Sequence, residues 1–292
     1  MIILYFKQIV LSLSTLTLVL FSLKCSQSLP QTGAINQNID FIIEQGENIW
    51  EQRSDSNSIS KAEHFINRAH KERPNNLDLS VLLAKIIYTR AYFFETRNET
   101  KEELFLKASL ICKNAVLVHP DFSFIFNQSQ GDSSFKIMSV LAEAPQSVVP
   151  GLFWWATNLG RYLNNKPVLE RLKQRELLEI IMHRILTVDP GFYYSGPYRF
   201  FGALYTRIPG VELSQSETYF DQALLANPGY LGNAVHMAEY YHQKAGNREQ
   251  FNSILNQVIN TDLANYPELM SENFLYQDKA RSLLKKETVL FE

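Results

Sequence analysis

The side chains best suited to metal binding or acid–base chemistry are six histidines, and their spacing favours neither role. No two of them are three or four residues apart, the spacing that places two rings on one face of a helix. The six are His64, His70, His119, His183, His236 and His242. The sequence also lacks a Gly-rich phosphate loop, a Gly-x-Ser-x-Gly turn and a His-Glu-x-x-His pair. We therefore predict a protein that is not an enzyme and that holds no metal or cofactor.

Side chains that bind rather than react are abundant, because 12% of the residues are aromatic. Two tryptophans, Trp154 and Trp155, are adjacent at a predicted helix start. Neighbours on a helix point about 100° apart, so the two rings face different surroundings. One stripe of the helix is apolar, with Trp155, Leu159 and Tyr162. The other is mixed, with Trp154, Asn158 and Arg161.

The mixed stripe suits a groove or a partner surface, where Arg161 is available for cation–π stacking or for a carboxylate. The apolar stripe suits the core, and burial of both rings between helices is the alternative interpretation. A second aromatic set follows on a helix that Pro197 initiates, again with core packing as the alternative. The candidate ligand or partner residues are Trp154, Trp155, Asn158, Arg161, Tyr162, Tyr198, Phe201 and Tyr205.

The first 24 residues are typical of a secretory signal peptide, with an early Lys7, no acidic residue and a hydroxyl-rich apolar run. Cys25 directly follows this segment and resembles the lipid-modified cysteine of bacterial lipoproteins. The three residues before it, Ser22-Leu23-Lys24, depart from the sequence that usually precedes such a cysteine. Cleavage by ordinary signal peptidase after Ser26-Gln27-Ser28 and an uncleaved anchor are the alternatives. We predict a signal peptide at 1–24, a lipidated N-terminus and flexible tether at 25–38, and a helical domain at 39–292.

Charge and cysteine content exclude two further classes. The 28 basic residues nearly balance the 30 acidic ones, so there is no basic surface of the kind that nucleic acid requires. The second of the two cysteines, Cys112, lies in an apolar stripe and is interpreted as a small buried side chain. With Cys25 acylated, no structural disulfide is expected.

Helices must position these residues, and the sequences of these helices share a repeated pattern. Apolar or small residues recur at steps of four and three, followed five residues later by a proline where the helix has to stop. The four sets are Ala62, Ile66, Ala69, Pro74; Ala108, Cys112, Ala115, Pro120; Leu178, Met182, Ile185, Pro190; and Ser216, Phe220, Ala223, Pro228.

A fifth, degenerate set at Gln250, Ile254, Gln257 and Asp262 follows the fourth by 34 residues, which is the period of the tetratricopeptide repeat (TPR). Earlier units are spaced more widely and therefore carry insertions. The predicted fold is all-α, a right-handed solenoid of helical pairs built from cryptic TPR units with insertions. An irregular helical bundle is the alternative.

Four strings in this helical region resemble one known family. They are GLFWWATNLGRYLNNKP at 151–167, GPYRFFGALYTRIPG at 196–210, YFDQALLANPGYLGNAVHMAEYY at 219–241 and ENFLYQDKARSLL at 272–284. Together they resemble the T component, the TatT family, associated with tripartite ATP-independent periplasmic (TRAP) transporters, which consists of TPR-like periplasmic lipoproteins. The resemblance covers most of residues 40–285 and is strongest from 150 onward.

The resemblance implies a lipid-anchored periplasmic accessory subunit. Such a subunit associates with the periplasmic solute-binding (P) component of the transporter, tends to form trimers, and has an apolar passage suggested to accept a hydrophobic small molecule. The alternative is a general TPR scaffold lipoprotein for envelope protein assembly, whose concave face would recognise a protein segment and no small molecule.

Overall fold

The computed structural model describes the backbone of residues 31–292, and their side chains from Asn36 onward with the exception of Ser133 and Ser134. The predicted signal peptide and Cys25 lie outside the described residues. Every regular element from residue 31 onward is helical and none is a strand, so the all-α prediction is confirmed. The chain divides after Phe41 into two compact units, of which the second runs from Ile42 to Glu292.

The helices follow one another with short connections. The first, α1 (Gln31–Trp50), begins eight residues before the predicted domain start. The others are α2 (Ser56–Glu72), α3 (Leu77–Thr89), α4 (Asn98–Val118), α5 (Pro120–Gln128), α6 (Ser133–Ala142), α7 (Val149–Leu163), α8 (Val168–Val188), α9 (Phe192–Tyr205), α10 (Leu213–Ala226), α11 (Gly232–His236), α12 (Arg248–Asn260), α13 (Met270–Leu284) and α14 (Glu287–Phe291).

Two helices continue into π-helical turns, which are uncommon and occur frequently at functional sites. Helix α3 runs on through Arg90–Phe94. Helix α11 runs on through Met237–His242 and then a last α-helical turn, Gln243–Ala245, before Gly246 ends it in a left-handed conformation. Both π-helical turns contribute side chains to the site described below.

The repeated sequence positions form the core faces of four helices. All twelve non-proline members of the four sets, on α2, α4, α8 and α10, are buried. The helices end two residues before Pro74, Pro120, Pro190 and Pro228, as expected for residues that cannot continue a helix.

The fifth set is one residue out of register. On α12 the buried positions are Phe251, Leu255 and Val258, whereas Gln250 and Gln257 are exposed. The helix before α12 contains the π-helical turn Met237–His242, and a π turn holds one residue more than an α turn. That extra residue accounts for a spacing of 35 where the repeat period predicted 34.

Neighbouring helices pack in chain order: α2 on α3, α3 on α4, α7 on α8, α9 on α10 and α12 on α13. Helices α5 and α6 form an insertion, across which α4 packs directly on α7. The right-handed solenoid of TPR units stays a prediction. One contact departs from an open array of helical pairs, because Arg53, just after α1, donates to Glu272 on α13 at 2.6 Å.

Candidate functional site

A cavity of about 840 Å³, including its open mouth, lies among α3, α7, α8, α9, α11 and α13. Its walls are mainly aromatic and aliphatic, with polar groups at a few positions, which is the usual composition of a small-molecule site. Aromatic side chains that line it are Tyr88, Phe153, Trp154, Tyr193, Phe200, Tyr240 and Tyr276. The lining therefore draws on residues nearly 190 positions apart in the chain.

Helix α7 contributes one face to the cavity. Trp154, Thr157, Arg161 and Asn164 all line it, at the steps of three and four residues that share one side of a helix. The Trp154 indole is 3% exposed and packs edge-on against two tyrosines, with ring centroids 5.3 Å from Tyr88 and 5.0 Å from Tyr193. This aromatic packing fixes the direction in which the α7 face points.

Arg161 is at the centre of the polar part of the cavity. Its guanidinium donates to the hydroxyls of Tyr240 and Tyr88, the latter at 3.1 Å, and to Nε2 of His236. Its Cζ lies 4.0 Å from the ring centroid of Tyr92, a cation–π contact. Four side chains from α3 and α11 thus hold one arginine of α7.

The His236 ring has a defined tautomer. Nδ1 lies 2.7 Å from the carbonyl oxygen of Gly232 and donates its proton there, because a carbonyl only accepts. Nε2 is then unprotonated and accepts from Arg161. Burial first, and the charges of Arg161 and Arg199 second, lower the pKa of His236 well below its ordinary value. The ring is therefore neutral at physiological pH.

Glu239, from the π-helical turn of α11, is the acidic group nearest to this arrangement. Its carboxylate accepts from Tyr92 at 2.7 Å and forms an ion pair with Lys279 at 2.8 Å. Burial opposes its ionisation, but the charges of Lys279 and Arg161 outweigh burial and lower the pKa of Glu239. Glu239 is thus ionised, and both carboxylate oxygens already have partners.

A strained turn precedes the helical part of α9. Tyr193, Tyr194 and Ser195 all have positive φ, between 46° and 59°, which costs a non-glycine residue about 1–2 kcal/mol each. The turn is fixed from outside by Arg199, which donates to the carbonyls of Tyr193 at 3.4 Å and Tyr194 at 3.2 Å. Asn233 of α11 accepts from Arg199 at 2.6 Å. The strain places the Tyr193 ring in the cavity wall.

The mouth of the cavity opens on a second hollow beside the loop after α9. Four residues line both spaces: Arg171, Arg207, Ile208 and Tyr240. Beyond them the outer hollow is bordered by Pro209, Gly210 and Lys244. Gly210 has a φ of +82°, a conformation that suits glycine, so the loop turns sharply at this border.

A comparison with protein families bears directly on this site. A family model described as the TRAP transporter T-component matches residues 64–291. The chain belongs to this family. The match includes every residue that lines the cavity, from Tyr88 to Tyr276. No curated protein matched the chain.

As a T-component, the protein is an accessory subunit of a TRAP transporter, associated with the cell envelope and with other components of the transporter. The T-component family is not known for enzymatic activity. In the described part of this T-component, no helix has the length and hydropathy needed to span a membrane.

The structure separates the eight candidate residues of this T-component into three groups. Trp154 and Arg161 line the inner cavity, and Tyr205 lines the outer hollow. Trp155 and Phe201 are buried in the core, as is Asn158, whose amide donates to the carbonyl of Trp154 at 2.8 Å. Tyr162 and Tyr198 are partly buried and border neither space.

Sequence reasoning missed several of the residues that complete the T-component site. Tyr88, Tyr193, His236, Tyr240 and Tyr276 come from four other helices and reach the cavity only through tertiary packing. The sequence did carry one signal for them, the high tyrosine content of α11 and its surroundings. No local spacing relates that signal to Arg161.

Proposed function

We propose that this T-component is a lipid-anchored periplasmic subunit, attached through Cys25, that binds the P component of a TRAP transporter and holds a hydrophobic small molecule for it. A homotrimer is the assembly that the family resemblance favours. The mechanism is binding and handover, with no covalent chemistry. Family membership supports the transporter role, and the aromatic cavity within the matched region supports the ligand.

The position of Trp154 is the observation that supports ligand binding. Its ring lies in the wall of a cavity whose lining is mainly aromatic and aliphatic with a few polar groups, the usual composition of a small-molecule site. The adjacent Trp155 is 2% exposed and lines neither the cavity nor the outer hollow. The two neighbouring rings thus have different surroundings, and this difference supplies a matched pair of variants.

The test is affinity capture of the full-length, C-terminally tagged chain from detergent-solubilised envelopes, comparing wild type with Trp154→Ala and Trp155→Ala. Each substitution removes a buried indole and is expected to destabilise the fold by about 3–5 kcal/mol. We expect a TRAP solute-binding protein in the wild-type eluate. We also expect a solvent-extractable apolar molecule that is depleted with Trp154→Ala more than with Trp155→Ala.

Two results would contradict the proposal. Recovery of envelope-assembly proteins without a solute-binding protein would exclude the transporter role and support the scaffold interpretation. Equal loss of the apolar molecule in both variants would show that Trp154 acts through stability alone. Circular dichroism of each eluate shows whether the variants remain folded.

A further inference from the structure

The cavity has an unusual charge pattern. Four arginines line it, Arg161, Arg171, Arg199 and Arg207, and no aspartate or glutamate does. None of these four forms an ion pair with any carboxylate of the described residues. Charged groups away from water are normally paired. The inner cavity therefore has a positive lining without a carboxylate of its own. Glu239, which interacts electrostatically with Arg161, lines the outer hollow beside Arg171 and Arg207 and is paired with Lys279.

Arg161 shows this most directly, because all its hydrogen-bond partners are neutral. They are two tyrosine hydroxyls and the unprotonated Nε2 of His236. Burial raises the pKa of Tyr240, which keeps that phenol uncharged. Glu239 is already occupied by Lys279 and Tyr92. Of the five N–H donors of the guanidinium, three are used, so two remain for a ligand.

The other three arginines repeat the pattern. Arg199 donates to the Asn233 side chain and to backbone carbonyls, all of them neutral. The buried Nε of Arg171 has no hydrogen-bond partner among the described residues, so this N–H can donate to a ligand. Arg207 lies over the Tyr240 ring, with Cζ 5.4 Å from the centroid. Arg171 and Arg207 stand where the inner cavity meets the outer hollow.

The apolar part of the wall includes Phe153, Trp154, Leu178, Phe200, Leu204 and Ile208. A ligand complementary to such a site has an apolar body and one anionic group, for which a planar guanidinium is suited. We propose that the cavity binds an amphiphilic carboxylate whose head group is bound by Arg161, with Arg171 and Arg207 attracting it at the mouth. This inference rests on the proposed function only in taking the cavity as a ligand site.

Decanoate and decanol provide the test, since they share an alkyl chain and differ in the charge of the head. Binding of each to the full-length protein is measured by isothermal titration calorimetry below the critical micelle concentration of decanoate. A charge-assisted contact corresponds to a difference of about 10- to 150-fold in affinity. We expect decanoate to bind the wild type more tightly than decanol by at least about 10-fold, and acetate alone to bind weakly.

The variants locate the head group. Arg161→Gln is expected to weaken decanoate by about 10-fold or more and to change decanol by less than about twofold. Arg161→Lys keeps the charge and is expected to retain part of the affinity. The control is Arg281→Gln, which removes an exposed arginine paired with Asp278 and outside the cavity. If Arg161→Gln does not fold, Arg207→Gln and the wild-type ratio of decanoate to decanol decide the question.

The outcomes separate this inference from the proposed function. Equal affinity for decanoate and decanol would overturn the anionic head group and leave an apolar ligand in place. Binding of neither would overturn both ligand assignments. Tight decanoate binding that is unchanged in Arg161→Gln would overturn the assignment of Arg161. Capture of the P component is measured separately and depends on none of these results.

Discussion

At the scale of single residues, the polar centre of the cavity depends on the protonation of His236. Its Nε2 accepts from Arg161 only while the ring is neutral, because a protonated imidazole has no acceptor. Protonation would also place a second positive charge beside the guanidinium. The neutral ring and the charged arginine therefore stabilise each other.

This arrangement predicts a pH dependence of stability. The folded-state pKa of His236 lies well below 6.5, its ordinary value, so below about pH 6.5 the unfolded chain takes up a proton that the folded chain does not. Above that pH, His236 does not reduce the free energy of unfolding. As the pH falls below it toward the folded-state pKa, His236 reduces the free energy of unfolding by about 1.4 kcal/mol per pH unit. Urea unfolding at pH 7.5 and 5.5 measures the loss.

The comparison chain is His236→Gln, in which the side chain no longer titrates. Burial also lowers the pKa of His70 and His242, so the variant is expected to keep part of the pH dependence and to lose the share that belongs to His236. The difference between the two chains isolates this one ring. An identical decrease in both chains would show that His236 contributes nothing.

The site was only partly predictable at this scale. Helical spacing placed Trp154 and Arg161 on one face of α7, and both line the cavity. The same spacing put Asn158 on that face, yet its side chain is fully buried against the helix's own backbone. The hydrogen-bond partners of Arg161 come from α3 and α11, more than 70 residues away in either direction, and no local pattern encodes such contacts.

At the scale of helices, small residues set the distance between neighbouring helices. Gly202 on α9 faces Phe220 on α10, and a Cβ at this position would lie 2.7 Å from the phenyl ring. Phe220 was assigned to a repeat position from the sequence alone. Their contact explains why a small residue occurs one step after Phe201, since any side chain would separate the two helices.

Gly202→Ala is therefore expected to destabilise the fold by about 1–3 kcal/mol, because the added methyl group overpacks a fully buried ring. Thermal or urea unfolding measures the change. The matched control is Gly160→Ala on α7, where the new Cβ would approach only Phe200, at 3.0 Å, and that ring borders the cavity. A control as destabilised as Gly202→Ala would contradict this explanation.

Helix boundaries and core faces were the most predictable features, because they follow from local spacing and from proline. The error at α12 shows the limit of that approach. A fixed period of 34 residues assigned the face to Gln250 and Gln257, but the π-helical turn in the preceding helix shifted the buried face to Phe251, Leu255 and Val258. A fixed sequence period does not reveal an irregular turn in the preceding helix.

At the scale of the whole unit from Ile42 to Glu292, the buried ion pair of Arg53 and Glu272 connects its two ends. Both side chains are 10% exposed, and Lys85 of α3 approaches the same carboxylate at 3.9 Å. Ser271 adds a hydrogen bond to the carbonyl of Glu51 at 3.2 Å. An open array of repeats would have no such contact, because each repeat touches only its neighbours.

Glu272→Gln is expected to destabilise the protein by about 3–5 kcal/mol, since it leaves the buried Arg53 and the partly buried Lys85 near a neutral amide. The midpoint of urea unfolding reports the change. Asp278→Asn is the control, because Asp278 pairs with Arg281 on the surface of the same helix, and exposed pairs contribute about 0–1 kcal/mol. A loss below 1 kcal/mol for Glu272→Gln would show that the ends are held by other contacts.

The contact between the two ends also sets an order of events during folding. Arg53 and Glu272 are 219 residues apart in the sequence, and contacts between residues so far apart form late in folding. The cavity wall likewise waits for Tyr276. A partly folded chain thus has helices but no finished chamber, because the wall is complete only when α13 has packed. In the finished fold, the way from the outer hollow into the chamber runs past Arg171 and Arg207.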